Sequence, residues 1–138
     1  MAYGIGIVGA GAIARVHAQG IADAGGSVLG FCDVDVEKAS EAAASHGGIA
    51  WSDPGEMFAN ESVTAVVIAV PNVLHAPLAI AALEAGNDVL LEKPMAMNVE
   101  ECQSLLDARD RSGRTLQVGF VCRFAATVLA AKRHIEAG

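Results

Sequence analysis

The feature that most constrains the fold of this chain is a regular alternation between short apolar runs and longer helix-like segments. The run from Ala65 to Val70, for example, is apolar and rich in β-branched residues throughout. Strands that are apolar on both faces and alternate with helices are typical of a parallel sheet covered by helices on both sides. The sequence therefore predicts an α/β fold, namely a doubly wound parallel sheet in three layers.

The ranges of the predicted elements follow from this alternation and from the glycines and prolines that interrupt it. The predicted strands span residues 3–8, 27–32, 49–51, 65–70, 88–91 and 116–120. The predicted helices span residues 12–24, 36–46, a short segment after 53, 74–85, 98–112 and 124–137. In such a sheet the ligand site lies at the carboxyl ends of the strands, near the topological switch between the first and fourth strands.

Composition narrows the class of protein and its partners. With 138 residues, 53% of them hydrophobic and 18% charged, the chain has the composition of one globular domain. A net charge of −7 argues against nucleic acid or an anionic membrane as a partner. The three cysteines lack CxxC spacing, and no run resembles a signal peptide or a membrane span. We therefore expect a cytoplasmic protein with reduced cysteines and no metal site.

A glycine-rich turn, Gly9-Ala-Gly-Ala-Ile-Ala14, directly follows the first predicted strand and opens the first predicted helix. Gly9 permits a tight turn, and Gly11 lets a pyrophosphate approach the backbone. The helix N-terminus adds free N–H groups and the positive end of the helix dipole. The position of this string between a strand and a helix predicts dinucleotide binding, with a merely tight turn or another nucleotide-like ligand as the alternatives.

Asp33 stands at the end of the second predicted strand, about 20 residues beyond the glycine-rich turn. A carboxylate there can accept hydrogen bonds from both hydroxyls of an adenosine ribose, and it would repel a 2′-phosphate. The next residues, Val34-Asp35-Val36, offer no Arg to bind that phosphate. The sequence therefore favours NAD over NADP. The alternative is that Asp33 caps the next helix, a position for which Asp35 is better placed.

Two further segments follow strands four and five. Pro71 ends the fourth strand, Asn72 can cap the next helix, and His75 would lie in the first turn of that helix. A His at this position is often structural or solvated, so its contact with a dinucleotide stays open.

The fifth strand ends in Glu92-Lys93-Pro94, close to where a nicotinamide would project. Lys93 can bind a substrate oxygen and move its proton while hydride is transferred, and the alternative is a surface ion pair in a loop.

The order of these segments resembles the amino-terminal domain of the Gfo/Idh/MocA oxidoreductases, which include glucose-fructose oxidoreductase and inositol dehydrogenases. The resemblance runs from Tyr3 to about Phe124, and its most specific part is the EKP segment within AALEAGNDVLLEKPMA. His17 and Arg123 also lie where such sequences often carry them. The resemblance implies a Rossmann domain over residues 1–122, with residues 123–138 as the start of a second domain.

The resemblance also implies roles for individual residues. Lys93 would be catalytic, and the Lys93–Pro94 peptide bond would be cis. The cofactor-binding residues would be Gly9, Gly11, Ala12, Ile13, Asp33, Pro71, Asn72, His75, Glu92, Lys93 and Arg123. The cofactor would be NAD, and the substrate a sugar, a polyol or a related hydroxylated molecule.

Members of this family carry a second α/β domain that forms the substrate pocket and often the oligomer interface. We expect that domain to be absent from this chain, so the chain would be the nucleotide-binding half of a protein that is a homo-oligomer at full length. Without a pocket to exclude water and orient the substrate, turnover by residues 1–138 alone should be very low.

Two other function classes remain open from the sequence. One is a non-catalytic NAD-binding module, such as a redox sensor or a regulatory subunit, in which the EKP segment would have no purpose. The other is a methyltransferase, which also combines a glycine-rich first turn with an acidic end of the second strand. The spacing from Gly9 to Ala14 and the EKP segment argue against it.

Overall fold

The computed structural model describes residues 3–138, which form six strands and six α-helices in alternation. The strands are β1 (Gly4–Val8), β2 (Ser27–Cys32), β3 (Ile49–Trp51), β4 (Ala65–Ile68), β5 (Asp88–Leu91) and β6 (Leu116–Val118). The helices are α1 (Ala12–Asp23), α2 (Val36–His46), α3 (Pro54–Phe58), α4 (His75–Glu84), α5 (Val99–Ser112) and α6 (Ala126–Glu136). Single 3₁₀ turns over Asn72–Leu74 and Val121–Phe124 precede α4 and α6.

All neighbouring strands are parallel, and their order in the sheet is β3-β2-β1-β4-β5-β6. The chain therefore winds in one direction from β1 to β3, returns across the sheet and winds in the other direction from β4 to β6. This is the predicted doubly wound sheet, and its topological switch lies between β1 and β4. Every parallel strand ends at the same edge, so the loops after β1, β2, β4 and β5 meet there.

Two apolar cores hold helices against opposite faces of the sheet, as predicted for three layers. Small residues of α1 and α2, including Ala14 and Ala39, pack on one face against Ile7 and Phe31. The other core contains residues of α3, α4 and α5, such as Leu105, together with residues of β4 and β5. The alanines let the helix backbones approach the sheet closely, which explains how a chain with few aromatic residues fills its core.

Several predicted ends differ from the observed ones by one or two residues, which is the usual uncertainty at fraying ends. Strands predicted to end at Val70 and Phe120 stop at Ile68 and Val118. The larger correction concerns Asn72, which does not cap α4. The chain first makes a 3₁₀ turn over Asn72–Leu74, so the backbone that precedes α4 is already helical and no side chain caps it.

Three other helices begin with a side-chain cap. Asp35 caps α2, Asp53 caps α3 with Pro54 in the first turn, and Asn98 caps α5. Each cap accepts a backbone N–H from the first turn, which removes one of the unpaired donors of a helix start. Among the described helices, none is long and apolar enough to cross a membrane.

Candidate active site

The glycine-rich turn after β1 has a backbone that only glycine can adopt at its first position. Gly9 has a φ of +97°, and a Cβ at this position would lie 2.2 Å from the carbonyl oxygen of Ala69. Its N–H donates to the carbonyl oxygen of Cys32 at 2.7 Å, which joins the turn to the end of β2. The turn is thus fixed between the ends of β2 and β4.

Gly11, by contrast, faces open space. It precedes α1 with a φ of −77°, and a Cβ here would find no atom of the protein within 4 Å. No side chain caps α1, and its first turn contains no acidic residue. The first backbone N–H groups of α1 are therefore accessible to an anion, which is the arrangement that a pyrophosphate requires.

Asp33 lies at the end of β2 and connects two backbone segments. Its Oδ2 accepts the N–H of Ala10 at 2.9 Å, and its Oδ1 accepts the N–H of Asp35 at 2.9 Å. It therefore does not cap α2, which is the role of Asp35, as the sequence favoured. Each carboxylate oxygen has a second lone pair, so Asp33 retains the capacity to accept hydrogen bonds from ribose hydroxyls.

A cavity of about 520 Å³ opens beside Asp33. It is lined by Val8, Gly9, Gly11, Cys32, Asp33, Val34, Lys38, Ser52, Pro54, Ala69, Val70, Pro71, Leu74 and Leu78. The lining is mainly apolar with a few polar groups, and its size lies in the range typical of small-molecule sites. An adenosine would fit the chemistry of this cavity, and Asp33 is the lining carboxylate that could bind its ribose.

Charges around this cavity are mostly negative. Burial raises the pKa of the Cys32 thiol to about 11, and the nearby carboxylates of Asp53 and Asp33 add to the shift. The cation that lines the cavity, Lys38, has its Nζ 3.0 Å from Oδ2 of Asp35. Their mutual hydrogen bond lowers the pKa of Asp35 and raises the pKa of Lys38.

His75 joins the loops after β4 and β5. The side chain is buried, with Nδ1 2.6 Å from the carbonyl oxygen of Pro94 and Nε2 3.0 Å from that of Val70. Carbonyl oxygens only accept hydrogen bonds, and a neutral imidazole has one N–H, so the tautomer of the ring decides to which of the two oxygens His75 donates. His75 thus fixes the position of the turn after β5 relative to the end of β4.

The turn at the tip of β5 presents a carboxylate and an ammonium at the same edge. The Glu92 side chain is nearly buried, and its Oε1 lies 2.8 Å from Nε2 of His17 on α1. Its Oε2 accepts the N–H of Lys93 at 3.1 Å. Lys93 itself is exposed, and the Lys93–Pro94 peptide bond is cis, as the family resemblance implied.

A second cavity, of about 240 Å³, lies between these loops. It is lined by Ile13, Ala69, Val70, Asn72, His75, Glu92 and Lys93. Ala69 and Val70 also line the first cavity, so the two cavities adjoin at the end of β4. One extended ligand could therefore place an adenosine near Asp33, a pyrophosphate at Gly11 and a nicotinamide beside Lys93, and the residues present fit an NAD molecule.

Most predicted site residues line one of these two cavities. Two of them line neither cavity: Ala12, the first residue of α1, and Arg123, an exposed residue of the 3₁₀ turn after β6.

Lys38 and His17 were not predicted from the sequence to belong to the site. Lys38 could have been found from its place in the first turn of α2, whereas the contact of His17 depends on how α1 packs on the sheet. Among residues 3–138, no group of three His, Cys, Asp or Glu could hold a metal ion.

Comparisons with known proteins agree with this geometry. A sequence model of the oxidoreductase family with an NAD-binding Rossmann fold matches residues 3–120. Inositol 2-dehydrogenase 2 of Saccharopolyspora erythraea is 37% identical over 142 aligned positions, which cover 100% of this chain and 42% of that protein. An uncharacterized oxidoreductase of Rhizobium meliloti is 40% identical over 121 positions, covering 86% of this chain and 36% of that protein.

Solved structures show the same backbone. The WlbA dehydrogenase of Bordetella pertussis, in complex with NADH and UDP-GlcNAcA, matches with a TM-score of 0.95 and 34% identity over 100% of this chain and 44% of that one. The scyllo-inositol dehydrogenase of Lactobacillus casei, with bound NAD(H) and scyllo-inositol, matches with a TM-score of 0.92 and 26% identity. This match covers 100% of this chain and 42% of that one.

The chain spans about two fifths of the length of the curated relatives it matches. The match of the family model covers most of the chain, and the six-stranded sheet, the glycine-rich turn and the turn at Glu92-Lys93-Pro94 lie within it. This chain therefore belongs to the Gfo/Idh/MocA oxidoreductase family, and residues 3–120 are an NAD-binding Rossmann domain of that family.

Proposed function

We propose that this chain is the nucleotide-binding half of an NAD-dependent dehydrogenase that acts on the CH–OH group of a sugar, a polyol or a related molecule. The observation that carries the proposal is the position of Lys93, which lies on the wall of the second cavity while the first cavity has the features of an adenosine site. Relatives named as inositol dehydrogenases support the class of substrate.

The chemistry divides between the cofactor and the chain. When bound, the nicotinamide supplies the hydride acceptor or donor. Lys93 would bind the substrate oxygen, taking the hydroxyl proton as an alcohol is oxidised and returning it in the reverse direction. Among residues 3–138, Lys93 has no salt-bridge partner that would compete with the substrate. His75 and Glu92 hold the two sides of the turn that presents it.

The preference for NAD over NADP is part of the proposal. If Asp33 binds the adenosine ribose, its carboxylate would be close to a 2′-phosphate, and like charges at short distance repel. Lys38 is the cation that could offset this repulsion, but Asp35 already binds its ammonium group. To bind a 2′-phosphate, Lys38 would have to leave Asp35, whereas binding of NAD leaves this ion pair in place.

The remaining parts of the proposal concern the protein as a whole. Residues 1–122 would form the Rossmann domain and residues 123–138 the start of the substrate domain, with Ala12 and Arg123 contacting the cofactor alongside the cavity-lining residues. The full-length protein would be a cytoplasmic homo-oligomer. Native mass measurement of a protein that contains this chain together with a substrate domain tests the oligomeric state.

The first experiment is a titration of residues 1–138 with NADH, NADPH and S-adenosylmethionine, followed by the fluorescence of the dihydronicotinamide and by calorimetry. We expect NADH to bind, NADPH to bind more weakly and S-adenosylmethionine not to bind. A folded domain, verified by circular dichroism, that binds neither dinucleotide would overturn the proposal.

A second experiment tests the chemistry. Residues 1–122 would replace the matching part of Saccharopolyspora erythraea inositol 2-dehydrogenase 2, and reduction of NAD by inositol would be measured with Lys93 intact and with Lys93→Met. We expect the variant to retain NADH binding and to lose roughly 100-fold or more in kcat. A Lys93→Met chimaera as active as its parent would show that Lys93 is not catalytic. A parent chimaera that binds NADH but does not oxidise inositol would instead favour a non-catalytic NAD-binding module.

A further inference from the structure

We propose that His17 is a positioning residue, which holds the carboxylate of Glu92 at the nicotinamide end of the dinucleotide site. The inference rests on the proposed function, because it assigns the second cavity to the nicotinamide and its ribose. It adds a residue whose side chain does not line that cavity and would act only through Glu92.

The contact itself is short and largely protected from water. Nε2 of His17 lies 2.8 Å from Oε1 of Glu92, and the two side chains are 14% and 10% exposed. The residues are 75 positions apart in the chain, so the bond joins the middle of α1 to the tip of β5. A hydrogen bond to a carboxylate in such surroundings is stronger than one on the surface.

Among residues 3–138, the other hydrogen bonds that hold Glu92 involve the backbone of β4 and of the turn after β5. Its N–H donates to the carbonyl oxygen of Ile68 on β4 at 3.0 Å. Its Oε2 accepts the N–H of Lys93. These bonds hold the backbone and one carboxylate oxygen, but the direction of the side chain is fixed only when Oε1 is also held. His17 provides that third point, so the carboxylate keeps its place on the wall of the cavity.

The helix that carries His17 also starts at the pyrophosphate site. Gly11 precedes the first residue of α1, and His17 lies on the same helix less than two turns later. An α-helix is rigid over this length. The bond from His17 to Glu92 therefore connects the carboxylate to the helix that begins at the pyrophosphate site. Paired strands already hold the two ends of the site together, so loss of this bond should affect the nicotinamide end alone.

Comparing the affinities of ADP and NADH distinguishes this positioning role from a general contribution of His17 to folding. ADP contains the adenosine and the pyrophosphate, whereas NADH also contains the second ribose and the nicotinamide. Residues 1–138 would be prepared as wild type, His17→Leu and His17→Gln, and the Kd of each ligand would be measured by calorimetry. Gln is the matched control, because its amide can still donate a hydrogen bond to Glu92.

We expect His17→Leu to raise the Kd of NADH roughly 10-fold, with a change of less than about 2-fold for ADP. His17→Gln should restore most of the affinity for NADH. The emission of bound NADH should shift towards that of free NADH in the Leu variant only. In His17→Leu/Glu92→Ala, the loss of NADH affinity should not exceed that of Glu92→Ala alone, because Ala has no carboxylate for His17 to hold.

Three results would overturn the inference. Equal losses for NADH and ADP would mean that His17 only supports the fold, and an unchanged NADH Kd would mean that Glu92 needs no partner. A Gln variant that behaves like the Leu variant would show that the hydrogen bond is not what matters. If wild-type protein binds ADP but not NADH, the proposed function fails instead, which keeps the two conclusions separate.

Discussion

The carboxylate of Asp33 accepts the backbone N–H of Ala10 at 2.9 Å, which connects the end of β2 to the glycine-rich turn after β1. The residue proposed to bind the adenosine ribose therefore also shapes the turn proposed to bind the pyrophosphate. Substitution at this position should change both the charge of the site and the geometry of the turn, and the choice of replacement decides which effect dominates.

Asp33→Asn tests the preference between NAD and NADP. The amide has nearly the same shape as the carboxylate, so one of the two backbone N–H groups keeps an acceptor while the negative charge is lost. We expect the Kd of NADH to rise roughly 10-fold and the Kd of NADPH to fall or stay constant, because the repulsion of the 2′-phosphate disappears. Fluorescence titration with both cofactors measures the ratio.

Asp110→Asn is the control for this prediction, since Asp110 lies at the exposed end of α5 and forms its ion pair with Arg109. It removes the same charge at a distance from the cavity. An equal change in the ratio of the two Kd values in both variants would mean that net charge, and not the position of Asp33, sets the preference.

The site could be predicted from the sequence where its signals are local. Asp33 and the EKP segment follow directly from strand ends, because all parallel strands of a doubly wound sheet end at one edge. The pairing of His17 with Glu92 could not be predicted, because it depends on how far α1 is rotated and on the register of β5 beside β4. Asn72 was wrongly predicted to be a cap, because Pro71 and a 3₁₀ turn change the entry into α4.

Substitution by alanine should affect the stability of the protein very differently at the two glycines of the same turn. In Gly9→Ala the new methyl group would collide with the Ala69 carbonyl at a left-handed φ, so we expect a loss of about 2–4 kcal/mol in the free energy of unfolding. In Gly11→Ala the backbone is extended and the space is open, so stability should change by less than about 0.5 kcal/mol.

The same pair also tests the pyrophosphate site. The methyl group of Gly11→Ala would occupy the space in front of the α1 N-terminus, and we expect NADH to bind at least roughly 10-fold more weakly to a fully folded protein. Urea unfolding and NADH titration on the same samples measure both quantities. Tight NADH binding by Gly11→Ala would contradict the assignment of this turn to the pyrophosphate.

The start of α5 offers a prediction about stability alone. Oδ1 of Asn98 accepts the N–H of Glu101 at 2.8 Å, and Oε2 of Glu101 accepts the N–H of Met97 at 3.0 Å. This reciprocal arrangement resembles a capping box, except that Glu101 binds the N–H of the residue before the cap. Asn98→Ala should lower the free energy of unfolding by about 1 kcal/mol. Asn72→Ala is the control, since Asn72 caps no helix, and it should leave stability within about 0.5 kcal/mol of wild type. Equal losses in the two variants would contradict the observed cap.

The buried thiol of Cys32 predicts how the stability of the protein depends on pH. Its pKa is raised from 9.0 to about 11, first by burial and then by the carboxylates of Asp53, Asp33 and Glu56. In the unfolded chain the thiol would ionise near pH 9, whereas in the folded protein it stays protonated up to about pH 11. The stability associated with this thiol is therefore fully present below pH 9 and is lost as the pH rises towards 11.

Thermal unfolding of wild type and Cys32→Ala between pH 8 and pH 11 measures this loss. We expect the Tm of wild type to fall more steeply than that of Cys32→Ala above pH 9, with Cys122→Ala, which removes an exposed thiol, following wild type. At pH 8 a thiol reagent should modify Cys122 quickly and Cys32 only when the protein is unfolded, because the thiolate is the reactive form. Rapid labelling of Cys32 in the folded protein at pH 8 would contradict both its burial and the direction of its pKa shift.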